Sequence, residues 1–222
     1  DCFGAYLVSE YISGRNFLDA TKGSPAGHCE KLFVQALRAL SYLHSREIFH
    51  FDIKPQNIIV RETSPGRAEA VIIDFGVASV CASKGTVGTY GFMAPEMILK
   101  QAPDGRADLY SMGVLLYAAL AGQNPFEDIT PDAIMQRHLA FTPPPISKAG
   151  DGIPEYFDII ANNLLQKNPS NRWQSATEVL RNLSIVAGKK YEAESEDTKF
   201  SYIPAEGRLI GRKGERLTII VR

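Results

Sequence analysis

The chain has 222 residues, enough for one domain with a sizeable core plus part of another, and too few for three. Its 24 basic and 25 acidic side chains leave a formal net charge of -1, with no basic excess to serve a nucleic-acid partner. The most apolar run, Met112 to Ala121, is ten residues long against the roughly 20 that a bilayer demands, so no membrane segment is expected in this chain.

Three cysteines, Cys2, Cys29 and Cys81, are odd in number and lack metal-ligand spacing. That argues against a disulfide framework and for a reducing, cytoplasmic setting. In chain order, Tyr6-Leu7-Val8 is an apolar run ending at Glu10-Tyr11, which predicts a strand, and Ser13-Gly14-Arg15-Asn16 predicts a turn. Ser24-Pro25 predicts a helix start, with Ser24 as the cap and the proline in the first turn. Leu32, Phe33, Ala36, Leu37, Leu40 and Leu43 follow at helical spacing, one face inward, to an end near Ser45.

Ile58-Ile59-Val60 and Val71-Ile72-Ile73 are β-branched runs on either side of Ser64-Pro65-Gly66, the pattern of a small hairpin. The segment from Ala107 to Ala121 is apolar on nearly all sides and predicts a buried central helix. Further amphipathic helices are expected over Pro131 to Leu139, Pro154 to Gln166 and Ser175 to Leu183. Thr142-Pro143-Pro144-Pro145 and Asn168-Pro169-Ser170 separate them. From Gly188 the composition turns to small and charged residues, which predicts a linker over 188–202. The fold class is therefore mainly α with a small β-hairpin, an α+β arrangement.

Three motifs carry chemistry. His50-Phe51-Asp52-Ile53-Lys54-Pro55-Gln56-Asn57 crowds an acid, a cation and an amide around one proline. After the hairpin come Asp74-Phe75-Gly76 and then Ala94-Pro95-Glu96. Singly each is weak, since an aspartate beside a proline is commonly a turn former. In this order and at this separation they resemble the catalytic loop, the metal-binding tripeptide and the Ala-Pro-Glu of eukaryotic-type (Hanks-type) Ser/Thr protein kinases.

The resemblance implies a transfer of the γ-phosphoryl of ATP to a serine or threonine of a protein substrate, with Mg2+ as cofactor. It implies Asp52 as the acid that orients the incoming hydroxyl, Lys54 on the transferring phosphate, and Asn57 and Asp74 on the metal. Thr89 matches the threonine that bridges the catalytic acid and lysine in Ser/Thr-selective members, and Lys54 points the same way. Asp108 resembles the aspartate that holds the catalytic loop's backbone. Arg172 resembles the late arginine that pairs with the glutamate of the Ala-Pro-Glu, here Glu96. At the other end, Tyr6 to Ile12 resembles the last small-lobe strand running into the hinge. The Glu10 carbonyl and Ile12 backbone would then face adenine and Asn16 the ribose. Phe17 and Ile59 would form an apolar floor, or simply pack in the core.

Two departures shape the expectation. The family's Gly-rich phosphate loop, strand lysine and helix glutamate have no counterpart here, so residues 1–187 are expected to be the hinge and large lobe, most of the small lobe being absent, and to bind ATP weakly alone. Phe51 replaces the arginine that in many members pairs with a phosphate on the activation segment, so activity is expected not to require phosphorylation of Ser79, Ser83 or Thr86. A pseudokinase scaffold remains the rival reading. Residues 203–222 contain Leu209-Ile210-Gly211-Arg212-Lys213-Gly214-Glu215-Arg216-Leu217. This resembles the entry to an ATPase module in large bacterial signalling kinases; a β-rich module and a plain strand are the alternatives.

Overall fold

A computed structural model describes residues 10–74 and 90–192. Two antiparallel hairpin strands, β2 (Ile58–Ser64) and β3 (Arg67–Ile72), sit beside a two-residue strand, β1 (Arg15–Asn16), in the order β1-β2-β3. Helices α1 (Phe17–Thr21), α2 (Ala26–His44), α3 (Pro95–Ile98), α4 (Gly105–Ala121), α5 (Pro131–Ala140), α6 (Tyr156–Leu164) and α7 (Ala176–Ala187) make up most of the rest.

The hairpin follows its β-branched pattern, with Ile58 opposite Ile72 and Ile59 opposite Val71, and Gly66 supplies the left-handed residue of the turn. Arg15 and Asn16, expected in a turn, instead pair with Val60 and Ile59. What permits this is Gly14, where a Cβ would stand 2.4 Å from the Val60 carbonyl oxygen. The pairing is made by backbone, so the polar side chains gave no strand signal. Ser24 is not the cap of α2: Pro25 occupies that position, its carbonyl accepting from His28 at 2.8 Å, while the Ser24 hydroxyl turns back to Ala20.

α4 is buried from Ala107 to Ala118, as its largely apolar composition requires, and its two polar exceptions, Asp108 and Ser111, are hydrogen-bonded. It begins two residues earlier than the apolar run, because Asp104 caps it by accepting from the Arg106 amide at 2.9 Å. One core cluster joins α2, α4, α6, α7 and the hairpin. A second surrounds Tyr110, Val114, Tyr117 and Phe126, with Ala94 ahead of α3 and Ile146.

Beside Tyr110 of the second cluster lies a buried ion pair. Arg172, 0% exposed in its side chain, donates to Glu96 Oε1 at 2.7 Å and Oε2 at 2.8 Å. Its remaining donors reach the carbonyls of Gln166, Arg106 and Lys167. Burying an ion pair is costly unless every donor is satisfied, and here the fork geometry satisfies it.

Residues 189–192, within the stretch expected to be a linker, are bound to α2. Glu30 is 1% exposed and takes a salt bridge from Lys189 and a 2.8 Å hydrogen bond from the Tyr191 hydroxyl. The Glu192 carbonyl accepts from Arg38 at 2.8 Å. A buried carboxylate needs partners, so the charges that read as a solvated run are partly consumed at its surface. Beside it, burial and the Glu30 charge push the Cys29 thiol up to about 12, which leaves it inert.

His138 on α5 is wholly buried, its Nδ1 2.9 Å from the Tyr110 hydroxyl and its ring 4.2 Å from that of Phe126. Burial, helped by the positive charge of Lys167, lowers its pKa from 6.5 to about 3. The folded pKa lies below the unfolded one, so the unfolded chain takes up a proton that the folded chain refuses. Stability held above pH 6.5 should therefore fall as the pH drops toward about 3, at up to ~1.4 kcal/mol per pH unit for one proton. Denaturant unfolding of wild type and His138→Gln across that range should give a shallower acid slope for the variant; equal slopes would sink this assignment.

Candidate active site

The site is built outward from Asp108, in the first turn of α4 and fully buried. Its Oδ1 accepts from the Phe51 amide at 2.7 Å, and its Oδ2 from the His50 amide at 2.9 Å and from His44 Nε2 at 2.9 Å. A carboxylate oxygen only accepts, so His44 must carry its proton on Nε2. The start of α4 can approach this closely because residue 105 is glycine: a Cβ there would meet the His44 ring at 2.9 Å and Phe49 at 3.1 Å. The aspartate expected to hold the catalytic loop's backbone does so.

With two successive amides fixed, the loop takes a strained shape. Phe51 has φ of 60°, a region that a bulky L-residue seldom enters and that costs about 1–3 kcal/mol. The Asp108 bond to its amide holds it there, as does its ring, which lies 5.7 Å from that of Phe49 and packs on the second core cluster. His50 then links loop and hairpin. Its Nδ1 accepts from the Asp52 amide at 3.2 Å, so its Nε2 is the donor to the Ile73 carbonyl at 2.9 Å.

The functional side chains converge on one carboxylate oxygen. Lys54 Nζ donates to Asp52 Oδ2 at 2.6 Å and Asn57 Nδ2 donates to the same atom at 3.0 Å, with a further bond from Nδ2 to the Asp52 carbonyl at 2.8 Å. Among the described residues Asp52 Oδ1 makes no hydrogen bond, and it is the oxygen available to a hydroxyl. Asp52 and Lys54 are about a quarter exposed, so their attraction is partly screened by solvent.

Ile73, just past β3, donates its amide to the Asn57 carbonyl at 2.9 Å. Asp74, with φ of 62° and an exposed side chain, follows it directly. Asn57 and Asp74 are thus delivered to one place by backbone pairing. The Asn57 amide nitrogen is spent on Asp52, which leaves Oδ1 as its oxygen donor. An amide oxygen and a carboxylate are the hard ligands that Mg2+ takes while it keeps waters or phosphate oxygens in its remaining positions. The residues present fit that ion.

The expected nucleotide-side residues divide. Asn16 lies beside Ile59 across the β1–β2 pairing, and its side chain caps α1 by accepting from the Asp19 amide at 3.0 Å. Ile59 is half-buried; Glu10 is exposed and stands 3.8 Å from Arg61. Ile12 is half-buried on the connecting segment. Phe17 is 0% exposed within the main core, which is the packing alternative for that residue. Phe75, Gly76 and Thr89 lie outside the described residues, as do Ser79, Ser83 and Thr86. Reading the sequence missed His44 as the third donor to Asp108; its signal was a histidine in the last turn of a helix whose inward positions, Glu30 apart, are apolar.

The protein kinase domain family matches residues 4–183. A probable serine/threonine-protein kinase PknB of Bifidobacterium longum is 34% identical over 184 residues, 78% of this chain and 26% of that protein. The serine/threonine-protein kinase PknB of Mycobacterium leprae is 33% identical, covering 85% of this chain and 31% of its own length. The serine/threonine-protein kinase PknF of Mycobacterium tuberculosis is 30% identical over 90% of this chain and 43% of its own. The chain therefore spans less than half the length of these relatives.

Asp108→Asn keeps one acceptor but sets an NH2 group against a backbone N–H or His44. Leaving a buried donor unpaired should cost about 2–3 kcal/mol in denaturant unfolding; a loss under ~1 kcal/mol would show that the loop has another anchor.

Proposed function

Because the chain belongs to the protein kinase family and matches its bacterial serine/threonine members, we propose that it is the catalytic lobe of a kinase that phosphorylates serine or threonine of protein substrates from ATP. The observation that carries this reading is the convergence of Lys54 and Asn57 on Asp52 Oδ2, with Oδ1 making no hydrogen bond among the described residues.

In this reading Asp52 Oδ1 accepts the hydrogen bond of the acceptor hydroxyl and takes its proton as the oxygen attacks the γ-phosphorus, and the bond to the ADP oxygen breaks. Lys54 lies beside the charge that develops on the transferring group, and Thr89 braces acid and lysine. Little covalent work is asked of the protein, so alignment and charge carry the rate. Mg2+, when bound, neutralises phosphate charge; Asn57 and Asp74 are the residues that would hold it. The Glu10 carbonyl and Ile12 backbone face adenine, Asn16 the ribose and Ile59 the base, while Phe17 supports that surface from within the core.

We take this lobe to act within a longer cytoplasmic signalling protein. The small share of each relative that it matches supports this, as do the entry-like residues 209–217 for a following ATPase or other module. Phe51 favours one rival, a scaffold that binds without transferring phosphate. Asp52→Asn decides between them in the full-length protein: phosphoryl transfer should fall by at least about 100-fold with the unfolding midpoint retained. Unchanged phosphorylation would leave the scaffold. Ser83→Ala with Thr86→Ala tests the role of Phe51. Activity within about threefold of wild type is expected, and a loss of two orders of magnitude or more would show that a phosphate there is needed.

A further inference from the structure

The stretch Tyr90 to Met93, just before Ala94-Pro95-Glu96, is fixed by the side chains of Asn124 and Ser111. The Gly91 carbonyl accepts from Asn124 Nδ2 at 2.7 Å, and the Phe92 carbonyl accepts from the Ser111 hydroxyl at 2.7 Å. Met93 closes the turn by donating its amide to the Tyr90 carbonyl at 3.2 Å.

Asn124 cannot be flipped. Its Oδ1 accepts from the Phe126 amide at 2.9 Å, so Nδ2 must be the end that faces Gly91. One planar amide therefore ties the loop after α4 to a carbonyl 33 residues earlier. The Phe126 ring is clamped in turn by His138, which the Tyr110 hydroxyl holds. Asp52 is positioned separately, through the His50 ring and the Asp108 carboxylate. The segment before Ala94 and the catalytic acid thus take their hydrogen bonds from different side chains, although Phe92 and Phe51 pack on the same cluster.

We propose that Asn124 is a positioning residue for the acceptor peptide, setting the Gly91–Phe92 main chain within the stretch before Ala94-Pro95-Glu96 that the kinase resemblance implies docks the peptide beside the acceptor hydroxyl. This rests on the kinase reading above. Since Asn124 bears on docking and not on Asp52, its loss should raise the KM for the protein substrate while the chemical step and the ATP site are spared.

The discriminating variant is Asn124→Asp, which still accepts from Phe126 but cannot donate to Gly91 and sets a carboxylate oxygen against its carbonyl. The full-length protein is assayed with an acceptor peptide selected on the wild type from a degenerate Ser/Thr peptide set. Peptide KM should rise about ten-fold or more, with kcat at saturating peptide, KM for ATP and the unfolding midpoint close to wild type. Asn124→Ala, which also loses the Phe126 bond, should raise peptide KM similarly while lowering the unfolding midpoint. Peptide KM within about twofold of wild type in both variants, or a fall in kcat alone, overturns the inference and leaves the kinase reading standing. A wild-type protein that phosphorylates no Ser or Thr peptide overturns the kinase reading, and this inference with it.

Discussion

One buried carboxylate, that of Asp108, is the constraint on which the catalytic loop depends. A fully desolvated charge is tolerable only when its acceptor positions are filled, and here two consecutive loop amides and the His44 ring fill them. The requirement runs both ways. The carboxylate needs donors, and the amides of His50 and Phe51, turned away from any strand or helix, need an acceptor. Neither side can relax without leaving an unpaired group in the interior, so the loop's shape is set before any functional side chain takes its place.

From that anchor the geometry propagates through backbone contacts. His50 spans the loop and the residue past β3, and Ile73 pairs back to Asn57. Two residues in left-handed conformation, Phe51 and Asp74, lie on either side of this link. Left-handed backbone is unfavourable for both, more so for phenylalanine than for aspartate, and persists only where the surroundings over-determine it. The buried pair of Glu96 with Arg172 does for α3 what Asp108 does for the loop. In both cases a charge placed in the core fixes a segment through hydrogen bonds or ion pairing, alongside its apolar contacts.

The fold was largely legible because its longer elements are periodic. α2, α4, α6 and α7 each carry enough apolar residues at helical spacing, and the hairpin is bounded by a Pro-Gly turn. What stayed hidden was structure made by backbone or by single polar contacts. β1 is a two-residue pairing permitted by a glycine; Pro25 displaced Ser24 at the cap; and residues 189–192 answer to a carboxylate, Glu30, on a helix 150 or more positions away. In the site, the motifs singled out Asp52, Lys54 and Asn57, which the structure joins by hydrogen bonds, and Asp108, which accepts from the loop amides. Asn124 and His138 belong to no motif, and their partners lie 33 and 28 residues distant, so no local pattern could have marked them.

Phe51 shows how a strained residue is held by packing. An arginine at this position would place a cation beside the Phe49 and second-cluster packing, and that cation would need a counter-charge from outside the loop. The phenylalanine ring instead finds its partners within the fold, against Phe49 and the cluster around Tyr110. The strain at φ of 60° is thus balanced by that ring packing and by the Asp108 bond to the Phe51 amide. A buried carboxylate and a ring contact, both built into the fold, are therefore what hold the loop in this shape.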